Sequence, residues 1–293
     1  MIRSKTYITG DFLEIEIFQI PARKRIITRQ VKVTESTPAQ RKLNDKNAKK
    51  YFVRLVHNNF TKHDLYVDLT YSKENLPKSR EEVLRDIKNY IARLRYYRKK
   101  HNLPPLKYIY VISNCDQMGN KVRYHVHMII SDMDRDVAES KWHKGYVNTD
   151  RLQFTETGVT GKSIYMMRQA KGERSWGASV NLKKPVAIVS DHRYTKSQLE
   201  QIGASPDDGR YIEKLINRKK HQWTFTDCQV EYNGRQLYMS DIMEDQGWGN
   251  GISILIRARR HTEFEKGKKK SWNGQVEGYR KCQENIYCQE QFT

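Results

Sequence analysis

Cysteines, long apolar runs and acidic residues are scarce in this sequence, and two of these scarcities exclude whole classes of protein. The 293-residue chain has four cysteines and no CxxC pair, so neither a zinc ribbon nor a disulfide scaffold is expected. No segment approaches the roughly 20 consecutive apolar residues of a membrane span, and the first residues lack the apolar core of a secretion signal. The sequence therefore predicts a cytoplasmic protein without a membrane partner.

The shortage of acidic residues leaves the chain strongly basic. There are 54 Lys and Arg residues against 34 Asp and Glu, which gives a formal net charge of +20. Such an excess is typical of proteins that bind a polyanion, because Lys and Arg that contact phosphates release condensed counterions. Apolar residues make up 37% of the chain, enough for compact cores. Charge alone, however, is equally compatible with a surface that is merely well solvated.

Three regions are predicted along the chain. Residues 1–60 form an N-terminal extension, in which the alternation of apolar and acidic residues over 13–17 predicts a strand. The apolar residues set among many basic ones over 38–60 predict a basic helix whose polar side lies against phosphate. Residues 61–190 form the main domain and 191–293 a basic C-terminal region. The predicted order in the main domain is strand, helix, strand, strand, helix, strand, helix, which indicates an α+β fold with a central antiparallel sheet and helices on one face.

Two histidines, His125 and His127, stand two residues apart on a strand predicted over 122–131. Because side chains alternate along a strand, both imidazoles project from the same face and can converge on one metal ion. Imidazole suits Mn²⁺ better than Mg²⁺, which prefers oxygen ligands. Since many such pairs are ordinary packing or surface histidines, the metal-site interpretation depends on the residues around it.

Tyr165 is the candidate nucleophile, on a helix predicted to begin at Gly158 or Thr160. A tyrosine hydroxyl ordinarily has a pKa of about 10, so it attacks well only when a cation polarises the electrophile. In a DNA-cutting reaction the histidines would hold that cation and Tyr165 would attack phosphorus. Arg168, one helical turn later, would stabilise phosphate charge, and Lys162 would contact DNA. A core position for Tyr165 is the alternative, since the chain has 18 tyrosines.

The order of these motifs resembles that of the HUH endonucleases, specifically the rolling-circle replication-associated proteins of bacterial plasmids, phages and integrated elements. The likeness covers residues 65–190: 69–71 is similar to the first family motif, 124–130 to the histidine motif and 164–168 to the tyrosine helix. It implies a metal-dependent nick in single-stranded DNA at a replication origin, leaving a 5′-phosphotyrosine and a free 3′-hydroxyl. It also implies Mg²⁺ or Mn²⁺ as cofactor, with a host helicase and polymerase as further candidate partners.

Two departures from the family pattern bear on the chemistry. Gln169 stands where the two-tyrosine subgroup has its second tyrosine, so the sequence predicts a single-tyrosine enzyme. The glutamate that related proteins often carry before the histidine motif is absent, which leaves Asp116 or a water as the candidate third ligand. The alternatives are a conjugative relaxase or HUH transposase and, in another class, a noncatalytic basic DNA-binding protein.

Overall fold

The structure, a computed structural model, describes residues 1–20, 38–115, 120–168, 176–218, 222–232, 235–236 and 252–261. These residues form two antiparallel sheets and six α-helices, which confirms the α+β class. None of the helices described combines the length and the apolar character that a membrane span requires. Contacts group Met1–Arg260 into one compact unit, and the predicted boundaries at residues 60 and 190 stay a prediction.

The elements alternate between strands and helices along most of the chain. The strands are β1 (Ile2–Thr9), β2 (Phe12–Gln19), β3 (Leu65–Thr70), β4 (Tyr108–Cys115), β5 (Lys121–Ile130), β6 (Val147–Arg151), β7 (Trp176–Ala178), β8 (Ala187–Ser190), β9 (Trp223–Tyr232), β10 (Arg235–Gln236) and β11 (Ile252–Arg260). The helices are α1 (Pro38–Asn59), α2 (Arg80–Lys100), α3 (Arg135–Ser140), α4 (Thr160–Arg168), α5 (Lys196–Ala204) and α6 (Gly209–Ile216).

One sheet has six strands in the order β10-β9-β11-β2-β1-β8, so strands from both ends of the described chain share it. The alternation in β2 buries Leu13, Ile15 and Ile17 in a core that also contains apolar residues of α5 and α6. Glu14 and Glu16 project from the opposite face of this strand. The alternation recognised in the sequence therefore separates an apolar face from an acidic one.

The other sheet has five strands in the order β6-β3-β5-β4-β7. On one face, Leu65, Val67 and Leu69 of β3 pack with apolar residues of α2 and α3. On the other face, Tyr66 belongs to a cluster with residues of α1 and α4. Helices therefore cover both faces of this sheet rather than the single face expected, because its central strands carry apolar side chains on both of their sides and bury them.

The basic side of α1 lies against the acidic face of the six-stranded sheet. The Lys50 ammonium is 2.7 Å from Glu16, and the guanidinium Nε of Arg54 is 2.8 Å from Glu14. Arg54 is buried and also stacks 3.6 Å above the Tyr7 ring. Because carboxylates hold these cations, the prediction that this side of α1 lies against phosphate is wrong.

Candidate metal and tyrosine site

Both histidines lie on β5 and face residues of the neighbouring strand β3. His127 is directly opposite Asp68, and His125 is opposite Thr70. Side chains in such cross-strand pairs stand about 5 Å apart at their Cβ atoms and can interact. His127 is only 4% exposed, whereas His125 is half-buried, so the site opens towards His125.

Each imidazole is oriented through its Nδ1 atom. His127 Nδ1 donates to the carboxylate of Asp68, and the Tyr66 hydroxyl lies 2.8 Å from the same nitrogen. His125 Nδ1 is 3.1 Å from the carbonyl oxygen of Arg123, which can only accept a hydrogen bond. In the neutral rings the lone pair therefore belongs to Nε2, the form in which histidine binds a metal. The two ring centroids are 4.9 Å apart.

Tyr66 and Asp68 form the support beneath His127. Burial by itself would raise the pKa of Asp68, but the hydrogen bond and charge of His127, together with the Tyr66 hydroxyl and the Lys162 ammonium, bring it below its ordinary value. Burial, and after it the charge of Asp68, raises the pKa of Tyr66 far above the ordinary range. Asp68 is thus held as a carboxylate and Tyr66 as a neutral hydroxyl.

Helix α4 brings Tyr165 to the histidines. The Tyr165 ring is half-buried, and its centroid lies 5.6 Å from that of His127. The next two residues, Met166 and Met167, are buried in the core shared with α1, which anchors this side of the helix. The alternative of a purely core position for Tyr165 does not fit this arrangement, because its ring lies against a polar cluster and is partly open to solvent.

The two predicted DNA-binding residues differ in position. Lys162 is exposed, and its ammonium lies 4.1 Å from the centroid of the Tyr66 ring and 6.0 Å from that of Tyr165. Such cation–ring contacts are attractive. Arg168 is exposed in the last turn of α4, one turn beyond Tyr165. The structure thus brings Lys162 into the site and leaves Arg168 at its margin.

The start of α4 is fixed by residues from outside the five-stranded sheet. The Val159 N–H donates to His57 Nε2 at 3.2 Å, and the Phe12 ring stacks on the His57 ring at 4.3 Å. Gly158 has a φ of +67°, and a Cβ there would lie 2.5 Å from the Phe12 ring. Burial, and secondly the positive charge of Arg257, lowers the pKa of His57 to about 4, which keeps this acceptor neutral.

The donor set fits a divalent cation at His125 and His127, because both imidazoles present the metal-binding tautomer and one has a carboxylate behind it. Among the residues that the structure describes, no group of three or more His, Cys, Asp or Glu side chains is arranged to hold a metal. Opposite His125 on β4 stands Ser113 in place of an acidic residue. The predicted third ligand, Asp116, lies outside the described residues.

Asp68 and Tyr66 are the site residues that the sequence analysis did not identify. The sequence does contain a signal for them, because the polar residues Tyr66, Asp68 and Thr70 stand at alternate positions of an otherwise apolar strand. That period matches the spacing of His125 and His127. Only the register between β3 and β5, however, places Asp68 against His127 rather than against a neighbour.

Residues 64–171 match a family model of replication-associated proteins, the ORF2 family. The matched segment begins just before β3 and includes both histidines, Asp68 and Tyr165. Neither the curated proteins nor the solved structures yield a match. The family match supports the prediction of a replication initiator of a mobile element, phage or plasmid.

Proposed function

We propose that the protein initiates rolling-circle replication by nicking single-stranded origin DNA with Tyr165, as an HUH endonuclease. One observation carries the proposal: the Tyr165 ring lies 5.6 Å from His127, whose partner His125 is on the same strand face. Two separate elements, β5 and α4, thus bring together the imidazoles and the tyrosine hydroxyl that such chemistry needs. The match of 64–171 to a replication-associated family supports the replication-initiator part of this proposal.

His125 and His127 would hold Mg²⁺ or Mn²⁺ through their Nε2 atoms. When bound, the cation would polarise the scissile phosphate and neutralise part of its charge. Asp68 contributes by accepting the Nδ1 proton of His127, which fixes the ring and makes Nε2 a stronger donor. The imidazole ligands favour Mn²⁺ in a test tube.

The nick itself is an attack by the Tyr165 hydroxyl oxygen on phosphorus. A bond forms between that oxygen and phosphorus, and the bond from phosphorus to the 3′-oxygen breaks. The phenol proton passes to solvent, and the leaving 3′-oxygen takes a proton from solvent, so that the products are a 5′-phosphotyrosine and a 3′-hydroxyl. The ammonium of Lys162, near the Tyr165 ring, stabilises the negative charge that develops, and Arg168 contacts the flanking backbone.

Two tyrosines lie beside His127, and their environments favour different roles. Tyr66 is buried, and its raised pKa makes it a poor source of phenolate. Tyr165 is partly open to solvent, and its helix α4 also carries the exposed cations Lys162 and Arg168. We therefore assign the nucleophile to Tyr165 and a supporting role to Tyr66.

The test is formation of a covalent protein–DNA adduct. Wild type, Tyr165→Phe and Tyr66→Phe are incubated with labelled single-stranded fragments covering both strands of the element that encodes the protein, with Mn²⁺ or EDTA. We expect an adduct on a denaturing gel from wild type with Mn²⁺, none from Tyr165→Phe, and a retained if weaker adduct from Tyr66→Phe. An adduct from Tyr165→Phe would refute the assignment of the nucleophile.

Absence of an adduct from every fragment, despite DNA binding, would favour the noncatalytic alternative. A relaxase or a transposase would use the same chemistry and differ in how the nicked strand is then processed. The match to a replication-associated family is the observation that favours replication over both.

A further inference from the structure

An exposed aromatic residue, Tyr146, lies at the open end of the histidine site. The pairing of β3 with β6 continues one residue before β6, where the Thr70 N–H donates to the Tyr146 carbonyl at 2.9 Å. Thr70 is in turn opposite His125 on β5. Tyr146, Thr70 and His125 therefore form a row on one face of the sheet. Two strand spacings, roughly 10 Å, separate the ends of this row.

The backbone of Tyr146 is fixed although its side chain is 79% exposed. The Thr70 hydroxyl donates to the same Tyr146 carbonyl at 3.0 Å, and the Ser72 N–H donates to the Lys144 carbonyl at 2.9 Å. Gly145 allows the close approach of this segment, because a Cβ there would lie 2.4 Å from the Thr70 carbonyl oxygen. Because this backbone is already ordered, a ligand that stacks on the ring restricts only the freedom of the side chain.

The surroundings of Tyr146 suit a single-stranded nucleic acid. Arg123, two residues before His125 on the same face of β5, is exposed at this end of the sheet and offers a cation to phosphate. Proteins that bind single strands combine such cations with aromatic rings on which bases stack. Tyr96 is similarly exposed, at 72%, but it lies on α2, which covers the opposite face of the sheet.

We propose that Tyr146 is a nucleobase-stacking residue, which binds a base beside the phosphate held at His125. The inference rests on the proposed function and adds a binding subsite to it. Every base has a π-face, so this contact would position the strand without selecting a sequence. Removing an aromatic platform of this kind weakens binding roughly 5- to 150-fold.

The experiment separates stacking from phosphate contacts by using two probes. Fluorescence anisotropy in EDTA, which prevents cleavage, measures binding of a labelled oligothymidylate and of an abasic oligonucleotide of the same length. The proteins are wild type, Tyr146→Ala, Tyr146→Phe and the matched control Tyr96→Ala. We expect Tyr146→Ala to weaken oligothymidylate binding by at least about 5-fold and to leave abasic binding unchanged. Tyr146→Phe and Tyr96→Ala should bind both probes like wild type.

An equal loss on both probes, or no loss from Tyr146→Ala, would overturn the stacking role. Neither result would affect the proposed nick, which the adduct assay tests independently. Failure of the wild-type protein to bind either probe, in EDTA and with Mn²⁺ alike, would instead overturn the proposed function, and the stacking role with it. The outcomes of the two proposals are thus distinguishable.

Discussion

Replacement of Asp68 tests whether His127 serves as a metal ligand. In the structure the Asp68 carboxylate accepts the Nδ1 proton of His127 and so selects the tautomer with its lone pair on Nε2. Asp68→Ala removes this acceptor, whereas Asp68→Asn keeps an oxygen acceptor but removes its charge. We therefore expect both variants to bind the cation more weakly, with the larger effect for alanine.

The expected magnitude depends on the geometry of the contact. Loss of a carboxylate that orients a ligating histidine typically weakens metal affinity by about 10- to 100-fold. The Asp68 side chain is 31% exposed, so water can take its place in part, and Tyr66 remains next to Nδ1. Both features favour the lower part of this range, about 10-fold for Asp68→Asn and somewhat more for Asp68→Ala.

The assay measures the Mn²⁺ concentration that gives half-maximal adduct formation. This concentration should rise about 10-fold in Asp68→Asn and somewhat more in Asp68→Ala, and excess Mn²⁺ should restore the adduct yield of both variants. Asp150→Asn is the matched control, because Asp150 is exposed on β6 and stands opposite Tyr66 rather than His127. A half-saturating Mn²⁺ concentration unchanged in Asp68→Ala would refute the reasoning. So would a loss of activity that excess Mn²⁺ does not restore.

Two further predictions concern the start of α4. Burial and the charge of Arg257 lower the pKa of His57 to about 4, whereas in the unfolded chain it is about 6.5. The neutral His57 imidazole therefore makes its full contribution to stability above pH 6.5, and this contribution, up to about 3 kcal/mol, is lost as the pH falls towards 4. His57→Gln should therefore flatten the fall in the free energy of unfolding between pH 7 and pH 4, measured by urea denaturation, and parallel curves would contradict this. Gly158→Ala should destabilise the protein by about 1–3 kcal/mol, because its φ is +67° and its Cβ would meet Phe12. Gly161→Ala, with nothing within 4 Å, should be neutral or slightly stabilising, and equal shifts in Tm for the two variants would argue against the contact.

Local patterns in the sequence specify the helices and strands and the reactive residue types. Alternation of apolar and acidic residues predicted β2, and the spacing of two histidines on the strand predicted over 122–131 was enough to place both rings on one face. Helical periodicity predicted α2, and the sequence of Ser79 with Glu82 three residues later predicted a capping box at its start. Ser79 does cap the helix, but the Glu82 side chain accepts from the Lys78 N–H instead of the Ser79 N–H. These features were predictable because each depends on residues within a few positions of one another.

The residues that complete the site from distant parts of the chain follow from the packing of the fold. Asp68 meets His127 through the register of two strands, and His57 reaches the start of α4 from a different helix. The basic side of α1 looked suited to phosphate until its partners, Glu14 and Glu16 on β2, were known. No local period encodes such pairings, because they arise when apolar faces far apart in the chain are buried against each other and their polar neighbours must then find partners.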